Sequence, residues 1–180
     1  MMFKLYYPDG PLKSNADPSE KQRLRRAFHP QLKKLWEQEP LSSHLRNYLN
    51  AEAISTIKDF SFLPLISSKM FQIADIEILM LRRQSPGLIV GHGGDIDNRI
   101  KTLFDSFSVP KIDQIADGDS PSDDEPPYFY CLLEDDALIT NVTVRTDRLL
   151  TSGCNQDVVL VINVIIKGTR TTMGNIGLIG

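Results

Sequence analysis

The chain has 180 residues, of which 41% are hydrophobic and 24% are charged, and its formal net charge is −3 at pH 7. This length suits a single domain over residues 1–180 with a substantial core, at about 100–200 residues per domain. The negative charge excludes a uniformly basic chain, so any binding of nucleic acid must depend on where the charges lie.

The first predicted element is a strand at residues 3–7, which a turn at residues 8–11 ends. A helix follows, and its start is expected at Asp17 or Ser19. Apolar residues recur in it at helical spacing: Leu24, Phe28, Leu32, Leu35 and Trp36. Pro30 lies inside this helix and predicts a break or kink.

Positive and negative charges are segregated along the chain. The bases of the first third are Lys13, Lys21, Arg23, Arg25, Arg26, Lys33, Lys34 and Arg46. A further short helix is expected at residues 43–58. Together, the bases and the two helices indicate a basic N-terminal helical region over about residues 11–58. Its basic face either is simply solvated or follows the phosphates of a nucleic acid. Between residues 105 and 136 the balance reverses, because ten acids face only Lys111.

The remaining two thirds predict further strands and one helix. Residues 69–83 indicate a long central strand, and a helix after it carries an apolar stripe formed by Ile96, Ile100, Leu103, Phe104 and Phe107. Further strands are expected at 128–133, 137–149 and 156–168. The fold class is therefore α+β, with a mixed sheet of about four or five strands flanked by helices.

Two segments are expected to be loosely held. The segment at about residues 113–127 is rich in Asp, Ser, Pro and Gly. This composition predicts a mobile acidic loop whose charge repels DNA. The last residues, 169–180, are expected to be poorly tied down.

The strongest chemical signal is a group of acids around the start of the second long helix. Asp95 and Asp97 are two residues apart, so their carboxylates can converge where the helix begins. Two carboxylates that close need a cation, because otherwise they repel and one takes up a proton. Oxygen ligands suit a hard divalent ion such as Mg²⁺ or Mn²⁺. At about 100° per residue, Asp97, Lys101 and Asp105 form a polar stripe beside the buried face of the helix.

The sequence GDIDNRIKTLFDSF, followed by EDDALITNVTV, resembles the RusA-like Holliday junction resolvase family. The family pattern is Asp-x-Asp-Asn-x-x-Lys, an Asp four residues later, and an Asp-Asp pair that opens the next strand. The resemblance implies metal binding by Asp95, Asp97 and Asp136, with Lys101 as the catalytic lysine. It assigns supporting positions to Asn98, Asp105 and Asp135.

The implied function is Mg²⁺-dependent (or Mn²⁺-dependent) endonuclease activity, hydrolysing phosphodiesters in branched or structured DNA. The implied assembly is a homodimer. An alternative is a RusA-like module that binds nucleic acid or protein without turnover. An EF-hand loop starting at Asp95 is excluded, because Ile100 stands where Gly is required and Ser106 where Glu is required.

Simpler structural roles exist for the same residues. Asp95 or Asp97 can cap the helix, which needs only one acid, and the acids at 134–136 can lie in a solvated loop. Lys101 can pair on the surface with Asp97 or Asp105, at about 0.3–0.5 kcal/mol.

Cysteine use and hydropathy bear on location. Cys131 and Cys154 lack the paired spacing of a zinc ribbon or disulfide framework, which favours a reducing compartment. There is no signal-peptide pattern and no run of about 18 apolar residues. We therefore expect a cytoplasmic protein with no membrane partner.

Overall fold

A computed structural model describes residues 1–83, 96–154 and 157–179. Within these ranges the helices are α1 (Pro18–Trp36), α2 (Leu41–Asn50) and α3 (Ile96–Phe107). The strands are β1 (Met2–Pro11), β2 (Ser55–Ile57), β3 (Phe60–Ile66), β4 (Gln72–Arg82), β5 (Phe129–Leu133), β6 (Ile139–Arg148) and β7 (Asp157–Gly168). The predicted α+β class is confirmed. No helix in this part of the chain is long and apolar enough to cross a membrane.

The larger sheet has four strands in the order β1-β7-β4-β6. β7 runs antiparallel to both β1 and β4, whereas β4 and β6 are parallel, so the sheet is mixed as predicted. The long central strand expected at 69–83 is β4, although a short 3₁₀ turn at Ser68–Met70 precedes it. One face of this sheet packs on the helices, and β6 forms one edge of the sheet.

A second sheet of three strands, β2-β3-β5, was not anticipated. A short helix was expected over residues 43–58. The part of it in α2 is helical as expected, but the prediction is wrong for β2, which is a strand. β3 is buried along nearly its whole length, including Phe62, Leu63 and Leu65. A continuously buried run of this kind is typical of a strand covered on both faces.

Helix α1 begins where the sequence predicts. The Asp17 side chain accepts a hydrogen bond from the Glu20 backbone N–H at 2.9 Å, which satisfies one of the unpaired donors of the first turn. The helix continues across Pro30, so a break there is wrong, whereas the alternative of a kink stays a prediction. Pro30 removes one helical hydrogen bond, but the buried His29 and Leu32 on either side hold both halves of the helix on the core.

The apolar stripe predicted for α3 is confirmed. Ile100, Leu103 and Phe107 are buried, and the Phe107 ring packs edge-on against Phe28 of α1 at a centroid distance of 5.0 Å. Burying Leu103, which has no exposed surface, fixes the rotation of α3 about its axis. The polar positions of α3 therefore border the gap between this helix and the sheet.

The C-terminal residues are held more tightly than predicted. Leu178 and Asn175 are fully buried, and the Asn175 amide donates to the Met70 carbonyl at 2.8 Å. The Met1 amino group donates to the Leu178 carbonyl at 2.8 Å. The expectation of a loose tail is wrong, because one apolar side chain and one amide with several partners anchor it.

Residues 113–127, called the acidic segment below, lie against α1. Arg26 contacts the Glu125 carboxylate at 2.7 Å and that of Asp119 at 2.9 Å. The Lys33 ammonium donates to the Asp124 carbonyl at 2.6 Å. The mobility of this segment stays a prediction, but two of its acids, Asp119 and Glu125, are paired with Arg26 of α1.

Candidate active site

Two elements bring the predicted residues together. Helix α3 carries Asp97 and Lys101, and the 3₁₀ turn Asp136–Leu138 before β6 carries Asp136. These three side chains line one open cavity of about 590 Å³ between α3 and β6, called the acidic cavity below. Its other walls are apolar and include Ile100, Phe104 and Val142.

The position of Asp136 follows from the local sequence. Asp135 caps the short turn, because its side chain accepts a hydrogen bond from the Ala137 backbone N–H at 2.8 Å. This leaves the next carboxylate, that of Asp136, at the cavity. Asp135 thus holds the turn that carries Asp136, and its supporting role in a site stays a prediction.

The surroundings of Asp136 disfavour its charged form. Burial, and then the neighbouring carboxylates of Asp135 and Asp105, raise the pKa of Asp136 above its usual value. Among the described residues, neither Asp97 nor Asp136 forms an ion pair. Both causes disfavour the charged form of Asp136, and a bound cation would offset them.

The surface-pair role considered for Lys101 is not observed. Asp105 is instead bound by Lys21 of α1, with the two charged atoms 2.7 Å apart. Over the described ranges Lys101 makes no ion pair with Asp97 or Asp105. Its ammonium is therefore available at the border of the acidic cavity.

The other two supporting residues lie on the opposite side of Lys101. Asn98 and Asp105 line a second, polar pocket of about 490 Å³, which Lys101 also lines. Lys21 and Lys111 complete it, and we call it the lysine pocket. The seven predicted residues are thus divided between two adjoining depressions, apart from Asp95, which lies outside the described residues, and Asp135, which lines neither.

The donor set fits Mg²⁺ or Mn²⁺ in its chemistry. Asp97 and Asp136 offer carboxylate oxygens to one cavity, and such ions are bound by one or two carboxylates together with waters and substrate phosphates. No group of three His, Cys, Asp or Glu side chains that could hold a metal is found among residues 1–83, 96–154 and 157–179. A fuller ligand set would need Asp95, which the resemblance assigns to it.

The cysteines take no part in this site. Cys131 is buried, which raises the pKa of its thiol, and it does not line the acidic cavity. Cys154 is exposed, and the two free thiols are not bonded to each other. This agrees with a site made of oxygen ligands.

Sequence reasoning missed three residues that shape the site. Lys21 was recognised only as one of many bases, and Lys111 only as an exception within an acidic stretch. Arg25 is buried, and its guanidinium donates to the Asp105 backbone carbonyl at 3.0 Å. Burial lowers the pKa of Arg25 to about 10, but the group stays charged at neutral pH and holds α1 against α3. Its presence in a basic run gave no signal of this role.

No protein-family model matches the chain, and no curated protein matches it.

Proposed function

We propose that the protein is a metal-dependent endonuclease that hydrolyses phosphodiesters in branched or structured DNA. One observation carries the proposal: Asp97, Lys101 and Asp136, from separate parts of the chain, line one open cavity, and among the described residues neither acid forms an ion pair. The buried Glu125, by contrast, is paired with Arg26.

The chain's own residues would divide the work as follows. Asp97 and Asp136 would hold Mg²⁺ or Mn²⁺, with Asp95 as a further ligand by resemblance. Such an ion, when bound, acidifies water and polarises a phosphoryl oxygen. Lys101 would lie beside the phosphate and stabilise the negative charge that develops on its oxygens in the transition state.

The remaining residues would position this machinery. Asp135 would keep the 3₁₀ turn in place through its bond to Ala137, and so direct Asp136 to the cavity. The pairing of Lys21 with Asp105 leaves Lys101 free of that acid.

A second candidate is a module that binds nucleic acid or protein without turnover. It is favoured by the lack, among the described residues, of three metal-ligating side chains that converge. The two candidates differ in one observable. An endonuclease cleaves DNA only when Mg²⁺ or Mn²⁺ is added, whereas a binding module leaves every substrate intact.

The experiment is a cleavage assay of the purified chain on four-way, flapped and linear DNA, with Mg²⁺, Mn²⁺, Ca²⁺ or EDTA. We expect cleavage of branched DNA with Mg²⁺ or Mn²⁺ and none with Ca²⁺ or EDTA. Cleavage that persists in EDTA contradicts the metal role, and a wild-type chain that cleaves nothing favours the binding module.

Two properties implied by the resemblance or by composition belong to the same proposal. A homodimer would offer two active sites to the two cleaved strands of a junction, and its mass in solution tests this directly. Cytoplasmic location agrees with two unpaired thiols.

A further inference from the structure

The lysine pocket adjoins the acidic cavity but has different chemistry. Its walls come from the loop before α1, from α1, from α3 and from the chain after α3. The Ala16 backbone N–H donates to the Thr102 hydroxyl at 3.4 Å, which joins the first of these loops to α3. The pocket measures about 490 Å³, within the range of about 300–1,000 Å³ of small-ligand sites.

Positive charge prevails in this pocket. Lys21, Lys101 and Lys111 face one acid, Asp105, which is already bound by Lys21. In the described part of the chain, Lys101 and Lys111 form no ion pair. Two ammonium groups therefore remain unmatched, and the amide side chains of Asn15 and Gln114 add further hydrogen-bonding groups.

Most other bases of the N-terminal region are occupied within the molecule. Arg23 donates to the Tyr7 hydroxyl and the Pro11 carbonyl at 2.7 Å each, and Arg26 pairs with the acidic segment. Lys13 pairs with Glu20 at 3.0 Å. The surplus positive charge next to the candidate active site thus belongs to Lys101 and Lys111 and not to the basic face of α1.

We propose that the lysine pocket binds a backbone phosphate of the DNA strand, next to the phosphate positioned at the acidic cavity. The inference rests on the proposed function and deepens it, since it gives the strand a path across Lys101 from one depression to the other. Lys101 lines both and separates them, so it contacts the attacked phosphate while Lys111 holds its neighbour.

The lining indicates recognition of the backbone rather than of bases. No aromatic side chain lines the pocket among the described residues, so there is no surface on which a base can stack. Lysines, amides and a hydroxyl are the groups that contact phosphate and sugar, and such contacts fix register without reading sequence. Binding through this pocket is therefore independent of base sequence and sensitive to salt.

The test measures DNA binding separately from cleavage. Fluorescence anisotropy with a labelled four-way junction in Ca²⁺ gives affinity at several salt concentrations for the wild type, Lys111→Gln, Lys111→Arg and Lys4→Gln. Lys4 is the matched control, because it is exposed on the outer face of the larger sheet beside Glu77 and Asn163. We expect Lys111→Gln to weaken binding about three- to tenfold and to reduce the slope of log affinity against log salt by about 0.9. Lys111→Arg and Lys4→Gln should match the wild type.

The outcomes separate the inference from the nuclease proposal. If Lys111→Gln binds with wild-type affinity and slope while the wild type cleaves DNA, the pocket is overturned and the nuclease stands. If Lys111→Gln loses affinity for DNA but the wild type never cleaves, the phosphate-binding role of the pocket is supported and the nuclease proposal is contradicted. An equal loss in Lys4→Gln, or a wild type that does not bind DNA, overturns the pocket.

Discussion

Two regions of this molecule are rich in acids, and they treat negative charge in opposite ways. In the acidic segment, Glu125 is buried, and Arg26 binds both it and Asp119. In the acidic cavity, Asp97 and Asp136 are exposed and have no such partner among the described residues. The paired acids Glu125 and Asp119 hold the acidic segment on α1, whereas Asp97 and Asp136 lie together in one cavity with Lys101 and are available to an external cation.

The pKa values follow the same division. Burial raises the pKa of Glu125, but hydrogen bonds from Arg26 and Ser122 outweigh it and hold the pKa below its usual value. For Asp136, burial and the neighbouring acids both raise the pKa. The more buried of the two carboxylates is thus the one more easily ionised, because its partners matter more than its exposure.

The largest expected effect comes from removing one charge in the acidic cavity. Asp97→Asn or Asp136→Asn should lower the cleavage rate by about 10²- to 10³-fold or more, the scale for losing a group that stabilises transition-state charge. Neither change creates a cavity, so the fold should be retained. Single-turnover cleavage of a labelled junction, together with circular dichroism of each variant, measures both properties.

The matched control for these variants lies in the other acid-rich region. Asp123 is exposed in the acidic segment, and Asp123→Asn removes the same charge by the same chemical change. It should cleave at the wild-type rate. If Asp97→Asn also cleaves at that rate, or if Asp123→Asn is equally impaired, the distinction between the two regions fails.

A stability effect of intermediate size is expected at the matched charges. Arg26→Met leaves the buried Glu125 carboxylate without its main partner, which should cost about 1–3 kcal/mol of unfolding free energy. Urea denaturation at neutral pH measures this. The exposed Lys34, which lies on the same helix, provides the control Lys34→Met, and an equal loss in both variants would show that Arg26 is not special.

The smallest effect is a pH dependence with opposite signs in the two regions. Because the folded-state pKa of Asp136 is raised, its ionisation disfavours the folded state, and stability is lost as pH rises through that pKa. Asp136→Asn should therefore raise the melting temperature slightly at neutral pH without metal, and not in strong acid. The lowered pKa of Glu125 acts in reverse, so its contribution is lost as pH falls through the folded-state pKa.

Thermal melts of the wild type, Asp136→Asn and Glu125→Gln from pH 3 to pH 8 check both signs. The rise in melting temperature of Asp136→Asn above the wild type should be largest at the high end of this range. The fall in melting temperature of Glu125→Gln below the wild type should also be largest there. A destabilised Asp136→Asn at neutral pH would contradict the account of unneutralised charge in the acidic cavity.

Local patterns allowed much of the fold to be predicted from sequence. Asp17 ahead of Pro18 specifies a helix start through one side-chain hydrogen bond, and the stripe from Ile96 to Phe107 specifies the buried face of α3. The second sheet could not be predicted in this way. Its three strands depend on pairing between residues 60–66 and 129–133, which are distant in sequence.

The site was predictable in its acids but not in its bases. The spacing of Asp97 and Lys101 along one helix places these two charges close together through local structure alone. Asp136 lies on a separate turn, and only the family resemblance joined it to them. Lys21 and Lys111 join the same surface only through the packing of α1 and the following chain against α3. Their charge is visible in the sequence, whereas their location depends on tertiary contacts.

The central claim is that the acidic cavity takes a divalent cation from outside the chain. The most direct test is a crystal of the wild-type protein soaked in Mn²⁺, with the ion located by its anomalous scattering. The account predicts a peak within bonding distance of the Asp97 and Asp136 carboxylates, at about 2.0–2.6 Å, the range for such oxygen ligands. A peak only at the acidic segment, or no peak at all, would contradict it.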